Sequence, residues 1–455
     1  MKRFDWQWLV VSSVLLWALA ASAETRPQYG GTLHVALRAA STSLDPADGT
    51  QLDSFARRSL TMLMFDTLVT IDDGGHVQAS LAVSWQTTAN NRSWQFRLRR
   101  GVKFHDGTPL TAEAAAASLR AANPSWNVSA DADSVMIDKS DPEILAELAL
   151  PRNAIAKRNP ENKPSGTGPF HIVDWQPGKK LTLAAEEACW RGRPFLDSLE
   201  IEMGRSFRDQ MIALESGKAD LVEIAPEQAH RTSLGGRQLS SSSPVELLAL
   251  LFTRDAASPD DKLLRNALAL SVERTSIRSV LLQGAGQPAA SVLPNWMSGY
   301  GFVFSTDADL SRARQAREQV RKIPTWTVGY DGNDSLSRLL VERIALNAKD
   351  AGLSLQPTTA TSVDLRLVRI PLASADPWVA LASVAAISGA TTEKSTGGGS
   401  AEELYAAEQS LLATQRLIPL FHLPVSYEAT PTLKNWTTRA DGSWSLADAW
   451  LGGKP

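Results

Sequence analysis

LAVSWQTTANNRSWQFRLRRGVKFHDGTPLTAEAAAASL, residues 81–119, passes from strand to turn to helix and marks each boundary. Trp94, Phe96 and Leu98 alternate with Gln95, Arg97 and Arg99, the period-two pattern of a strand with one buried face. Gly101 interrupts the alternation, Val102 and Phe104 resume it, and His105-Asp106-Gly107 reads as a turn. Thr111 is placed to cap a helix whose first turn holds Glu113, where a carboxylate suits the helix dipole. The alanines that follow extend that helix.

These residues in this order resemble the family 5 extracellular solute-binding proteins, which serve oligopeptide, dipeptide and nickel uptake transporters. The family's block runs L-A-x-S-W, an alternating aromatic strand, then L-R-x-G-V-K-F-H-D-G-x-P-L-T-A-E. Leu81, Ala82, Ser84, Trp85, Leu98, Arg99, every residue from Gly101 to Gly107, and Pro109 to Glu113 fit it. A lone HDG carries little; this many matches in order is specific.

The amino terminus reads as an export leader. Lys2 and Arg3 precede a short apolar run, and Ala21-Ser22-Ala23 fits a cleavage site. The run is short for a membrane span. Removing residues 1–23 takes away Lys2, Arg3 and Asp5, which makes the formal net charge of -3 one unit more negative. Mild acidity argues against nucleic acid and anionic membrane surfaces as partners. The single cysteine, Cys189, excludes an internal disulfide and reads as a packing residue.

Further matches extend the resemblance over most of the chain. Residues 32–37 read as an opening strand, followed by Ser43-Leu44-Asp45-Pro46; residues 55–68 have helical spacing. Gly166-Thr167-Gly168-Pro169-Phe170 opens a hairpin that turns at Gln176-Pro177-Gly178. Residues 264–274 read as one helix with apolar positions at Leu264, Ala267, Leu268 and Val272, and Glu273 stands where the family has aspartate in the helix interior. Residues 326–357 form a strand-helix-strand unit that predicts parallel pairing, with Leu336, Leu339, Leu340, Ile344 and Ala348 on one helix face. Residues 388–400 read as a flexible loop, 418–423 as a buried strand, and the chain from Asn435 as a surface ending.

No catalytic constellation emerges. None of the six histidines pairs with another at metal-ligand spacing, and no G-x-S-x-G elbow presents a nucleophile. His105, in its turn, is read as satisfying backbone groups rather than holding a metal. No cofactor is called for.

The resemblance implies a mixed α/β periplasmic binding protein, type II-like, with two main lobes closing on a hinge and a smaller third. Lobe I is expected at 24–54, 165–258 and 419–455, the small lobe II at 55–164 and lobe III at 259–418. The implied function is capture of a small solute, peptide first, by a monomer in the periplasm for an ABC permease and its ATPase. A sensory role, or a sugar, opine or metal chelate as solute, are the alternatives. Peptide binders hold the ligand's amino group with the first aspartate of D-Y-P-D-P; here the run is Ala373-Ser374-Ala375-Asp376-Pro377, so alanine replaces it. Substrate contacts are expected from Ser41 and Thr42 after the first strand, from Asp376 and Trp378, and from His422, which otherwise reads as a satisfied core histidine.

Overall fold

The structure, a computed structural model, describes residues 26–50, 54–72, 74–87, 92–139, 143–159, 163–229, 237–372, 374, 376–390, 399–439 and 441–453. The expected leader, Ala373 and most of the 388–400 loop lie outside the described residues.

A mixed sheet of eleven strands forms the frame. One wing runs Phe170–Gln176, Lys180–Ala185, Ser198–Glu202, Thr32–Ala36 and Leu221–Ile224; the other runs Leu365–Pro371, Thr325–Gly329 and Ser354–Thr358. Between them lie the long strands Leu417–Ala429 and Gln238–Phe252, with short Gln287–Pro288 beside the former. Each wing contains parallel pairs, including Thr325–Gly329 with Ser354–Thr358 across the helix Ser335–Asp350, as the strand-helix-strand reading predicts. The register of the two long strands slips around Pro244, which faces Pro424. Neither proline has an N–H to donate, so the ladder is thinned where one wing gives way to the other.

The 81–119 block builds a separate antiparallel sheet, Ala82–Thr87, Trp94–Leu98, Ser134–Asp138 and Asn127–Asp131. Phe96 and Leu98 are buried while Arg97 is exposed, the alternation legible in the sequence. Lys103 bridges Pro109, and the Gly107 N–H donates to Phe104 O, closing the HDG turn. Thr111 Oγ1 accepts from the Ala114 N–H at 3.2 Å and caps the helix Ala112–Ala122, an arrangement worth about 1 kcal/mol.

Buried apolar side chains gather into one body around the first wing and another around the four-stranded sheet. Two more cover opposite faces of the second wing, with Leu248 and Leu250 on one side and Leu247 and Ala249 on the other.

Three expectations change. Residues 264–274 are not one helix: Pro259–Ser271 stops at Val272, extended at ψ 115°, and Glu273 precedes a second helix, Arg274–Val280. Val272 is fully buried, so its place in the apolar pattern reflects core packing. Leu339 is 49% exposed, and Val341 joins Leu336, Leu340, Ile344 and Ala348 in the core instead. The chain from Asn435 is not a surface ending, because Trp436, Trp444, Leu446 and Ala449 pack into the first wing's core.

Candidate functional site

The loop after the strand Thr32–Ala36 separates two cavities. The outer one, about 1000 Å³, lies between this loop, the HDG turn and the strand Phe170–Gln176. The inner one, about 230 Å³, is walled by the helix Phe55–Met64, the turn at 150–152 and Ser383 of the helix Pro377–Ser388. Ala47 and Asp48 line both.

Paired charges shape the outer wall. Arg158 donates from Nε and Nη2 to the two Asp45 oxygens at 2.7 and 2.6 Å, the fork geometry that fixes a guanidinium most firmly. Partial burial opposes ionisation of Asp106, but hydrogen bonds from Lys157 and Thr108 prevail and hold its carboxyl down to about 2. The His105 N–H donates to Gly166 O at 2.9 Å, and its Nε2 lies 3.0 Å from Gly168 O. A carbonyl only accepts, so Nε2 carries the proton and the ring is fastened to backbone, as its sequence context predicts. Burial keeps this imidazole below its ordinary range. The His171 ring sits 6.1 Å from that of His105, with Nδ1 3.2 Å from Glu186. Among the described residues no group of His, Cys, Asp or Glu is arranged to hold a metal ion.

The inner pocket is richer in positive charge. Arg57 Nη2 donates to Asp48 O at 2.8 Å, and Arg58 Nη1 to Leu372 O at 2.8 Å. Arg58 is 2% exposed. Ser54 starts their helix by accepting from the Arg57 N–H.

Of the five residues expected to contact substrate, Thr42 lines the outer cavity. Ser41 is buried beside it; its hydroxyl donates to Ser43 O and its carbonyl accepts from the Gly178 N–H, each at 2.7 Å. Asp376 Oδ1 accepts from the Trp378 and Val379 N–H groups, both at 3.0 Å, and so caps Pro377–Ser388. Trp378 packs half-buried against the second wing's core. His422 is enclosed in the strand Leu417–Ala429, its Nε2 donating to Val292 O at 3.0 Å, and burial holds it at about 4 and therefore neutral. The five do not share one cavity.

Sequence reasoning missed Arg58 and a set of charges along the long strands. Glu246 accepts from Arg369 Nη1 at 3.1 Å, and Asp334 lies 3.5 Å from Arg369 Nη2. Burial opposes the Arg369 charge, and these carboxylates with Glu227 outweigh it. Glu223 accepts from the Arg38 N–H at 3.0 Å, while burial pushes its carboxyl up. No sequence signal marked Arg58: in FARRSLTMLM it shares the polar side of the helix with Arg57 and Thr61, and only the folded chain buries it.

Comparison with known proteins places this geometry. The family model for bacterial extracellular solute-binding proteins, family 5 (middle), matches residues 76–368. Among curated proteins, the nickel-binding protein NikA of Staphylococcus aureus (strain NCTC 8325 / PS 47) is 24% identical over 323 residues, 66% of this chain and 65% of NikA. The chain spans between about a third and two thirds of the length of the curated relatives it matches. Among solved structures, NikA from Staphylococcus aureus in complex with Ni(L-His)2 superposes with a TM-score of 0.78 at 18% identity, covering 92% of this chain and 99% of that one. A dipeptide-binding protein from Pseudoalteromonas sp. SM9913 in complex with Met-Leu gives 0.79 at 15% identity, covering 92% and 100%. At such identities the structures establish the fold, and the family match establishes descent: the chain belongs to the bacterial extracellular solute-binding proteins of family 5.

Proposed function

We propose that this chain is the periplasmic substrate-binding protein of an ABC importer, a monomer that captures a small solute between lobes and hands it to the permease. The lobes are those expected from the sequence: 24–54 with 165–258 and 419–455, then 55–164, then 259–418. The observation that carries this reading is the register slip at Pro244 and Pro424, in the two strands that join the wings of the sheet. A ladder missing donors there bends at lower cost than intact pairing on either side, so the wings rotate as bodies. The inner cavity, which Ser383 of the helix packed on the second wing helps to wall, lies where such closure traps a guest.

Peptide is the leading solute, and a sugar, an opine or a metal chelate are the alternatives. Thr42 and the Ser41 backbone offer contacts on the loop side. Asp376 and Trp378 set the start of the helix that carries Ser383, and His422 braces the strand behind them. Among the described residues no helix is long and apolar enough to cross a membrane, and removal of the leader near Ala23 delivers the chain to the periplasm.

Small-angle scattering tests the mechanism. Protein purified from its own periplasm is examined by native mass spectrometry for retained cargo, which is then removed and added back. The radius of gyration is expected to fall on re-addition; an unchanged radius at saturation sinks hinge closure.

A further inference from the structure

We propose that Trp296 is a releasable latch on the junction between the wings: its indole fastens the second wing to the strand at the register slip and lets go when the wings rotate. The proposal rests on the hinge reading above and assigns a residue to the hinge's control.

The proline pair creates the acceptor. Pro244 and Pro424 face each other in the two long strands, so Pro424 has no N–H to offer the carbonyl across from it. The Trp296 indole N–H donates to that carbonyl, Pro244 O, at 2.8 Å. Side chains stand in for backbone pairing elsewhere at the slip. The Val425 N–H donates to the Ser242 hydroxyl at 3.0 Å, and the Ser241 and Ser426 hydroxyls pair at 2.8 Å.

The segment that carries Trp296 is rooted firmly in the second wing. Glu408, fully buried in the helix Ala401–Ala413, accepts from the N–H groups of Val292 and Leu293, the latter at 3.1 Å, and from the Tyr300 hydroxyl at 2.8 Å. The Ala289 N–H donates to Leu420 O at 2.9 Å, and His422 Nε2 to Val292 O. Val292 and Leu293 join the same apolar body as Leu247 and Ala249. These fastenings flank the short helix Asn295–Ser298 that presents Trp296.

Root and tip differ in strength. Breaking the Glu408 bonds strands a carboxyl away from water, which is costly. Trp296 is 41% exposed, so water replaces both the donor and the acceptor when the indole leaves, and a neutral bond of this kind breaks at small net cost. A rigid root with a releasable tip restrains a hinge without locking it.

Hydrogen exchange read by mass spectrometry tests this on the full protein stripped of cargo. Trp296→Phe keeps an aromatic ring and removes the N–H; Phe302→Ala, at a site 77% exposed in the same segment, is the control. The junction amides, at 241–247 and 422–428, are compared with the strands Ser198–Glu202 and Thr325–Gly329, one in each wing. Junction exchange is expected to speed at least fivefold in Trp296→Phe and to keep its wild-type rate in Phe302→Ala, with both wing strands unchanged. An unchanged junction in Trp296→Phe, a rise spread equally over both wings, or the same rise in Phe302→Ala overturns the proposal. Wild type separates the latch from the hinge. A junction that exchanges faster than the wings in wild type, and is unmoved by Trp296→Phe, refutes the latch and leaves the hinge standing. A junction as protected as the wings in both proteins refutes both.

Discussion

His422 joins two facts that the sequence states separately, a titratable ring and an apolar strand. In the folded chain its imidazole is held at about 4, against an ordinary 6.5, because burial penalises the charged form more than the Val292 and Ser291 backbone groups favour it. Between those values the unfolded chain binds a proton that the native chain does not. Stability is therefore lost as pH falls from 6.5 toward about 4, by up to about 3 kcal/mol from this group alone. His422→Gln keeps a donor for Val292 O and removes the titration. Denaturant midpoints at pH 7 and pH 4.5 are expected to converge in the variant relative to wild type. If both proteins lose the same stability over that interval, His422 is not responsible. The glycine motif at 166–168 was legible by residue type but not by cause. Gly166 and Gly168 press against the carboxyl end of Phe55–Met64, where a Cβ on Gly168 would lie 2.6 Å from the Met64 carbonyl carbon. Close approach, not left-handed backbone, explains them, and a sequence does not reveal what lies across a gap.

Elements were readable where periodicity and caps agree. Thr111 starts its helix as the sequence predicts, and the hairpin turning at Gly178 has the expected strands. Periodicity misled where burial came from both sides of a chain segment. Val272 looks helical because it is apolar at a helical spacing, yet it packs in extended backbone. Helix Ser335–Asp350 shows the same limit, since Leu339 and Leu340 are adjacent leucines and only the phase of the helix on the sheet separates their fates. Leu340 is fully buried in the second wing's core, and its replacement by alanine is expected to cost about 2–5 kcal/mol. Leu339→Ala, with the side chain about half in solvent, is expected to stay within about 0.5 kcal/mol of wild type. Thermal melts of the two variants decide it: similar losses would mean that the helix is rotated relative to the sheet from the arrangement described.

At the scale of the molecule, the family block in residues 81–119 announced the architecture, while the contacts that tie distant segments together stayed hidden because their partners are hundreds of residues apart. Arg58 is the clearest case. It leaves the first helix to donate to Leu372 O at 2.8 Å and to Asp441 O at 3.4 Å, tying the segment after the strand Leu365–Pro371 to both ends of the chain. A buried carbonyl that loses such a donor costs about 1–3 kcal/mol unless water reaches it, and a parting of the proposed lobes would admit water. Arg58→Met preserves the apolar stem that packs near Phe55 and removes the donors. The unliganded variant is thus expected to shift toward an open arrangement, with a larger radius of gyration by small-angle scattering and a modestly lower melting temperature. A lower melting temperature with an unchanged scattering curve would assign Arg58 to the stability of one lobe, and the contact with Leu372 would then have no part in holding the lobes together.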